Sequence, residues 1–121
     1  MIKTHGLTHI NLAVRDLERS LRFYMQVFGV KEYYRDSESV QVLGPGPNDV
    51  IAFEKNDRKA GKSGGITHFG FRLVNPADID SAVADVESAG GTLVRRGEFA
   101  PGFPFAYFND PDGYEIEVWF E

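Results

Sequence analysis

Apolar and polar positions alternate from residue 7 to residue 14. Ile10, Leu12 and Val14 fall on one face and His9, Asn11 and Ala13 on the other, the period-2 pattern of a half-buried strand. The period then changes. Asp16 stands where a helix N-cap is needed, and Leu17, Leu21, Tyr24 and Phe28 follow at i, i+4, i+7 and i+11, one face of a helix. Gly29 suits the C′ position, where a left-handed backbone ends the helix. Segments 31–35, 39–43 and 49–54 predict three more strands, and Gly44-Pro45-Gly46-Pro47-Asn48 is a dense turn signal.

The same order then returns. Thr8-His9-Ile10-Asn11-Leu12 is matched by Thr67-His68-Phe69-Gly70-Phe71, displaced by 59 residues, and the helix stop Phe28-Gly29-Val30 by Ala89-Gly90-Gly91, displaced by 61. Residues 66–74 predict a strand, Asn75-Pro76 a cap followed by a first-turn proline, and Ile79, Val83, Val86 and Ala89 a helix face. Segments 92–96, 104–108 and 114–120 are strand-like, separated by Pro101-Gly102 and by Asp110-Pro111-Asp112-Gly113. The expected fold class is α+β, a βαβββ unit repeated once. It forms one domain over 1–121, with module one at 1–58 and module two at 63–121. The polar stretch from Lys55 to Gly65 reads as the linker. Within it Gly61-Lys62-Ser63 looks like the end of a phosphate loop, but Asn56 stands where the first glycine is required, and no strand runs into it.

Composition narrows the function. The chain has 121 residues, 42% hydrophobic and 26% charged, enough for a packed core. A net charge of −5 argues against a nucleic-acid footprint. The absence of cysteine excludes disulfides, thiolate metal sites and cysteine nucleophiles. No apolar run approaches the roughly 20 residues of a membrane helix, and no signal peptide is visible, so a cytoplasmic protein without a membrane partner is expected.

The strand faces carry the candidate chemistry. His9 lies opposite Ile10, Leu12 and Val14. His68 lies opposite Phe69, Phe71 and Leu73. In the last strand Glu115, Glu117 and Trp119 lie opposite Ile116, Val118 and Phe120. If the apolar faces pack on the helices, the other faces bring two imidazoles and a carboxylate into a shared space. That set binds Fe(II), Mn(II), Zn(II) or Ni(II) with coordination positions left open, through which the ion can polarise a substrate oxygen. Hydrogen-bonded or surface histidines are the alternative reading of the same pattern.

Three stretches resemble the vicinal oxygen chelate superfamily, which includes glyoxalase I, fosfomycin- and bleomycin-resistance proteins and extradiol dioxygenases. They are Leu7-Thr8-His9-Ile10-Asn11-Leu12-Ala13-Val14 with Asp16-Leu17-Glu18-Arg19-Ser20, then Ile66-Thr67-His68-Phe69-Gly70-Phe71, then Asp110-Pro111-Asp112-Gly113-Tyr114-Glu115-Ile116-Glu117. The resemblance implies the glyoxalase/bleomycin-resistance/dioxygenase-like fold. It also implies His9, His68 and Glu117 as ligands of one divalent ion per site: Fe, Mn, Zn, Ni or Co. The implied function is a metal-dependent enzyme acting on a small molecule with adjacent oxygens, narrowly dioxygenase-like. The alternatives are a glyoxalase-type lyase or isomerase, a fosfomycin-type transferase, and a non-catalytic binding protein of the resistance type.

Further candidates follow from the same positions. Glyoxalase I has a glutamate ligand on the last strand of its first module. Here that strand offers Glu54, as ligand, base or strand-end charge, unless Ala52 is the equivalent position. Tyr107, in Tyr107-Phe108-Asn109-Asp110-Pro111-Asp112-Gly113, is similar to a tyrosine of the extradiol dioxygenases. The histidine expected several residues earlier is missing, replaced by Glu98, Phe99 and Ala100. Asn11 and Arg72 share the parity of the histidines and are candidate substrate contacts, and Phe103 and Trp119 are candidate pocket walls. The resemblance further implies a homodimer, whose cavity can draw residues from both copies.

Overall fold

A computed structural model describes all of residues 1–121. The chain divides into two compact units, Met1–Ala60 and Gly61–Glu121, called module one and module two below. Module one runs β1 (His9–Val14), α1 (Leu17–Phe28), β2 (Lys31–Arg35), β3 (Ser39–Leu43) and β4 (Val50–Lys55). Module two runs β5 (Phe69–Arg72), α2 (Ile79–Ser88), β6 (Thr92–Glu98), β7 (Pro104–Asn109) and β8 (Glu115–Trp119). Each is a four-stranded sheet with its first strand parallel to its last, in the orders β1-β4-β3-β2 and β5-β8-β7-β6. The repeat read from the sequence is therefore a repeat of topology.

The helix boundaries follow from local chemistry. The Asp16 carboxylate accepts from the Arg19 N–H at 3.0 Å and so satisfies one of the unpaired donors of α1. That bond is the first cause holding the Asp16 carboxyl below its usual pKa. At the other end Gly29, at φ 65°, donates its N–H to the Met25 carbonyl and stops the helix. In module two the cap and the first-turn proline are where the sequence places them, but the first turn differs in kind. Asn75 caps Ala77, but Pro76–Asp78 is a single 3₁₀ turn, and the α-helix begins only at Ile79. Proline fixes φ in either kind of turn, so its presence does not choose between them.

One face of each sheet packs on the helix of its own module. In module one Leu12, Val14, Val40, Val42, Ile51 and Phe53 are buried with Leu21, Phe23 and Tyr24 of α1. The Tyr24 ring meets Phe53 at 5.0 Å between centroids. In module two Ala106, Phe108, Ile116 and Val118 are buried with Ile79, Val83 and Val86 of α2. Period 2 then fixes which side chains stand on the opposite face. No helix is long and apolar enough to cross a membrane.

Candidate metal centre

The opposite face of module two carries a rung of four residues directly opposed across its strands. Gly70 of β5 is paired with Glu117 of β8, Glu117 with Tyr107 of β7, and Tyr107 with Arg95 of β6. His68 sits one residue before β5 rather than inside it, as β5 is shorter than the sequence pattern suggests. Its Nε2 lies 3.3 Å from Glu117 Oε2. Thr67 Oγ1 lies 3.1 Å from the other ring nitrogen, Nδ1. When Nδ1 donates to that hydroxyl, the lone pair of Nε2 faces the carboxylate, the second-sphere arrangement that orients a metal-binding imidazole. The His68 ring stands edge-on to Tyr107, centroids 5.0 Å apart.

Glu117 is the buried acid of this face, 8% exposed, and its Oε1 is buried with no hydrogen-bond partner. A buried carboxylate oxygen without a donor is an arrangement proteins avoid, because it forfeits its hydration for nothing. A cation coordinated there would supply the missing partner. One imidazole nitrogen and one carboxylate are donors that Mn(II), Fe(II) and Zn(II) all accept, so the residues present fit such an ion. Burial and the Glu117 carboxylate push the Tyr107 phenol above its usual pKa, opposed by the Arg95 guanidinium.

A turn holds Glu117 at this depth. Asp110, itself buried, accepts from the N–H groups of Asp112, Gly113 and Tyr114 at 2.9, 3.0 and 3.0 Å. Gly113 takes φ 98° there, a conformation open mainly to glycine. The Asp-Pro-Asp-Gly motif thus sets where β8 starts and which of its residues face the rung.

Module one carries the corresponding rung, Asn11 of β1, Ala52 of β4, Gln41 of β3 and Tyr34 of β2. His9 precedes Asn11 by two residues, as His68 precedes Gly70. The register therefore gives the place equivalent to Glu117 to Ala52, which offers no ligand atom. Glu54 lies two residues along, opposite Ala13, exposed, and accepts from Asn11 Nδ2 at 3.5 Å. His68 and Glu117 are brought together, but nowhere does the chain gather three or more histidine, aspartate or glutamate side chains in a group fit to hold an ion.

The other candidates are placed as follows. Arg72 donates to the Glu121 carbonyl oxygen and covers the Trp119 ring at 5.7 Å, so it clamps the end of β8 and does not pair with Glu115. Trp119 flanks Gly70, where an added Cβ would stand 3.4 Å from the Trp119 ring and 3.1 Å from the Glu117 carbonyl oxygen. Phe103 stacks on Phe120 at 6.4 Å. Arg95 was not legible as a site residue, because a register shift in β6 decides which face it occupies.

Two βαβββ modules, one with a histidine–glutamate pair on the sheet face away from its helix, define the class of protein by its fold. Residues 6–118 match the model of the Glyoxalase/Bleomycin resistance protein/Dioxygenase superfamily, and the chain belongs to that family. It is 32% identical over 122 residues to the lactoylglutathione lyase GLX1 of Arabidopsis thaliana, covering 91% of this chain and 42% of the relative. It is 28% identical over 126 residues to the catechol-2,3-dioxygenase of Bacillus subtilis, covering 98% and 44%. The chain thus spans less than half the length of these two curated relatives. Among solved structures, the fosfomycin resistance protein FosX of Listeria monocytogenes superposes with a TM-score of 0.83 at 22% identity, covering 100% of this chain and 95% of that one.

Proposed function

We propose that this protein is a divalent-metal-dependent enzyme that binds a small molecule through two adjacent oxygens. His68 and Glu117 of module two and His9 of module one serve as the protein ligands. The observation that carries the reading is the buried Glu117 oxygen without a donor, beside an imidazole nitrogen. The bound ion would supply Lewis acidity toward the substrate's oxygens. The chain supplies the rest. Thr67 orients the His68 ring, the Asp110 turn sets the position of Glu117, and Tyr107 presents its hydroxyl beside Glu117, where it can orient a substrate oxygen. The Listeria FosX was crystallised as a mutant with Mn(II), so Mn(II) is the first ion to try.

The three-ligand set favours the dioxygenase-like reading, because Ala52 stands where a module-one carboxylate would complete a fourth ligand. The lyase reading is supported by the name of the Arabidopsis relative and requires Glu54 as the base. We also infer a homodimer. Each sheet ends in unpaired edge strands, and β2 is exposed along its whole length, an edge that folded proteins usually cover.

Turnover separates these readings. The Fe(II)-loaded protein is expected to consume oxygen in the presence of catechol and to stop when the ion is chelated. Turnover of the methylglyoxal–glutathione hemithioacetal with Ni(II), Co(II) or Zn(II), without oxygen uptake, would establish the lyase reading instead. Addition of a thiol co-substrate across an epoxide ring would establish the transferase type. Stoichiometric metal with none of these activities would point to a binding protein. Light scattering of the same preparation is expected to give twice the mass of the chain.

A further inference from the structure

We infer that Arg95 selects the charge of the substrate, holding a carboxylate or similar small anion on the module-two face beside the metal ligands. The inference deepens the reading above and rests on it for where the substrate sits.

The first observation is a bulge. Leu93 is paired with Phe108 and Arg95 with Tyr107, so Val94 is an extra residue in β6. Without it the ladder would set Val94 opposite Tyr107 and Arg95 opposite Ala106, on the face that packs against α2. The inserted residue turns Arg95 to the face of Glu117 and Tyr107, the re-aiming that bulges beside binding sites commonly achieve. Arg96 falls on the other face and pairs with Asp80 of α2. Two adjacent arginines are thereby given different work.

The second observation is how Arg95 is held. Its guanidinium carbon lies 4.1 Å from the Tyr107 ring centroid, and the same guanidinium hydrogen-bonds the Tyr107 hydroxyl, so both contacts are with one neutral side chain. Stacking on a tyrosine fixes the plane of a guanidinium, and four of its five N–H donors stay available to a bidentate anion. Tyr107 itself meets His68 and Glu117. The positive charge is therefore one side chain removed from the proposed ion.

The third observation is the surface alongside. The next rung on this face pairs Gly97 with Phe105 and Phe105 with Trp119. A Cβ on Gly97 would come within 3.0 Å of the Phe105 ring, so the ring lies across a backbone kept bare. Phe99 packs on Phe105 at 4.5 Å. A flat apolar floor beside a fixed cation suits a planar organic acid.

Trp119, the single tryptophan, borders this floor and reports on it. The experiment titrates benzoate, and benzamide as its neutral counterpart, into chelator-treated protein while following tryptophan fluorescence. Wild type is expected to bind benzoate at least tenfold more tightly than benzamide, about 1.4 kcal/mol. Arg95→Gln is expected to lose the preference, Arg95→Lys to keep part of it, and Arg96→Gln to keep all of it. Circular dichroism confirms that each variant is folded. Equal affinities in wild type, no binding of either probe, or a preference that survives Arg95→Gln would overturn the inference. Because chelated protein is used, the metal reading fails separately. Wild type that binds no Mn(II) yet prefers benzoate would sink that reading and leave the role of Arg95 standing.

Discussion

Glu117→Gln is expected to raise the melting temperature of the metal-free protein, or leave it unchanged, and to abolish stabilisation by Mn(II). The two halves have one cause. The carboxylate is buried, and one of its oxygens meets no donor. Glutamine keeps the shape and removes the charge, so the desolvation that the folded state bears becomes smaller. The nearby imidazole of His68 limits the gain when its proton is on Nε2, 3.3 Å from the other oxygen, because Nε2 then donates to the carboxylate. With metal the order reverses. An ion that binds only the folded state stabilises it by about 2.7 kcal/mol when its free concentration is a hundredfold above Kd. Without the carboxylate that affinity is lost, and so is the shift. Differential scanning fluorimetry of both proteins, with and without Mn(II), reads all four values. A variant less stable than wild type without metal, and equally stabilised by it, would mean that Glu117 is an ordinary structural acid.

Phe53→Ala is expected to destabilise the protein by about 3–5 kcal/mol, the usual range for removing a buried aromatic ring from a core. Phe53 is fully buried on β4, its ring 5.0 Å from Tyr24 of α1. The loss compares with a typical total stability of about 5–15 kcal/mol for a folded domain. Tyr24 is held against Phe23 and Phe28 as well, so the helix has little freedom to close the cavity. Met25→Ala, one residue along α1 but exposed, is expected to change stability by less than about 0.5 kcal/mol. Urea melts of the three proteins give the comparison. Equal stability of Phe53→Ala and wild type would show that β4 does not face α1.

Much of this architecture was legible before any coordinates. The duplication is visible because Thr8-His9 and Thr67-His68 each open an alternating segment, and because Asp16 and Gly29 mark both ends of one helix by their side-chain chemistry. Alternation also placed Glu117 on the face opposite Ile116 and Val118, where it is found. The parts that were not legible depend on pairing between strands distant in sequence. Ala52 and Glu54 share a parity, so alternation cannot decide between them; only the pairing of Asn11 with Ala52 does. Arg95 and Arg96 were beyond reach for a related reason. One extra residue in β6 reverses every face after it, and nothing in Leu93-Val94-Arg95-Arg96 marks the insertion. Arg72 had the right parity for a substrate contact, yet its length lets it reach back to the chain end at Glu121.

His9, His68 and Glu117 are the three residues proposed above as ligands of one divalent ion. Equilibrium dialysis against Mn(II), with the metal counted by elemental analysis, tests that assignment on wild type and on His9→Ala, His68→Ala and Glu117→Ala. One ion per chain in wild type, and loss of tight binding in each of the three variants, is the predicted result. Full occupancy in His9→Ala would show that module one does not contribute to the site, and full occupancy in Glu117→Ala would contradict the account at its base.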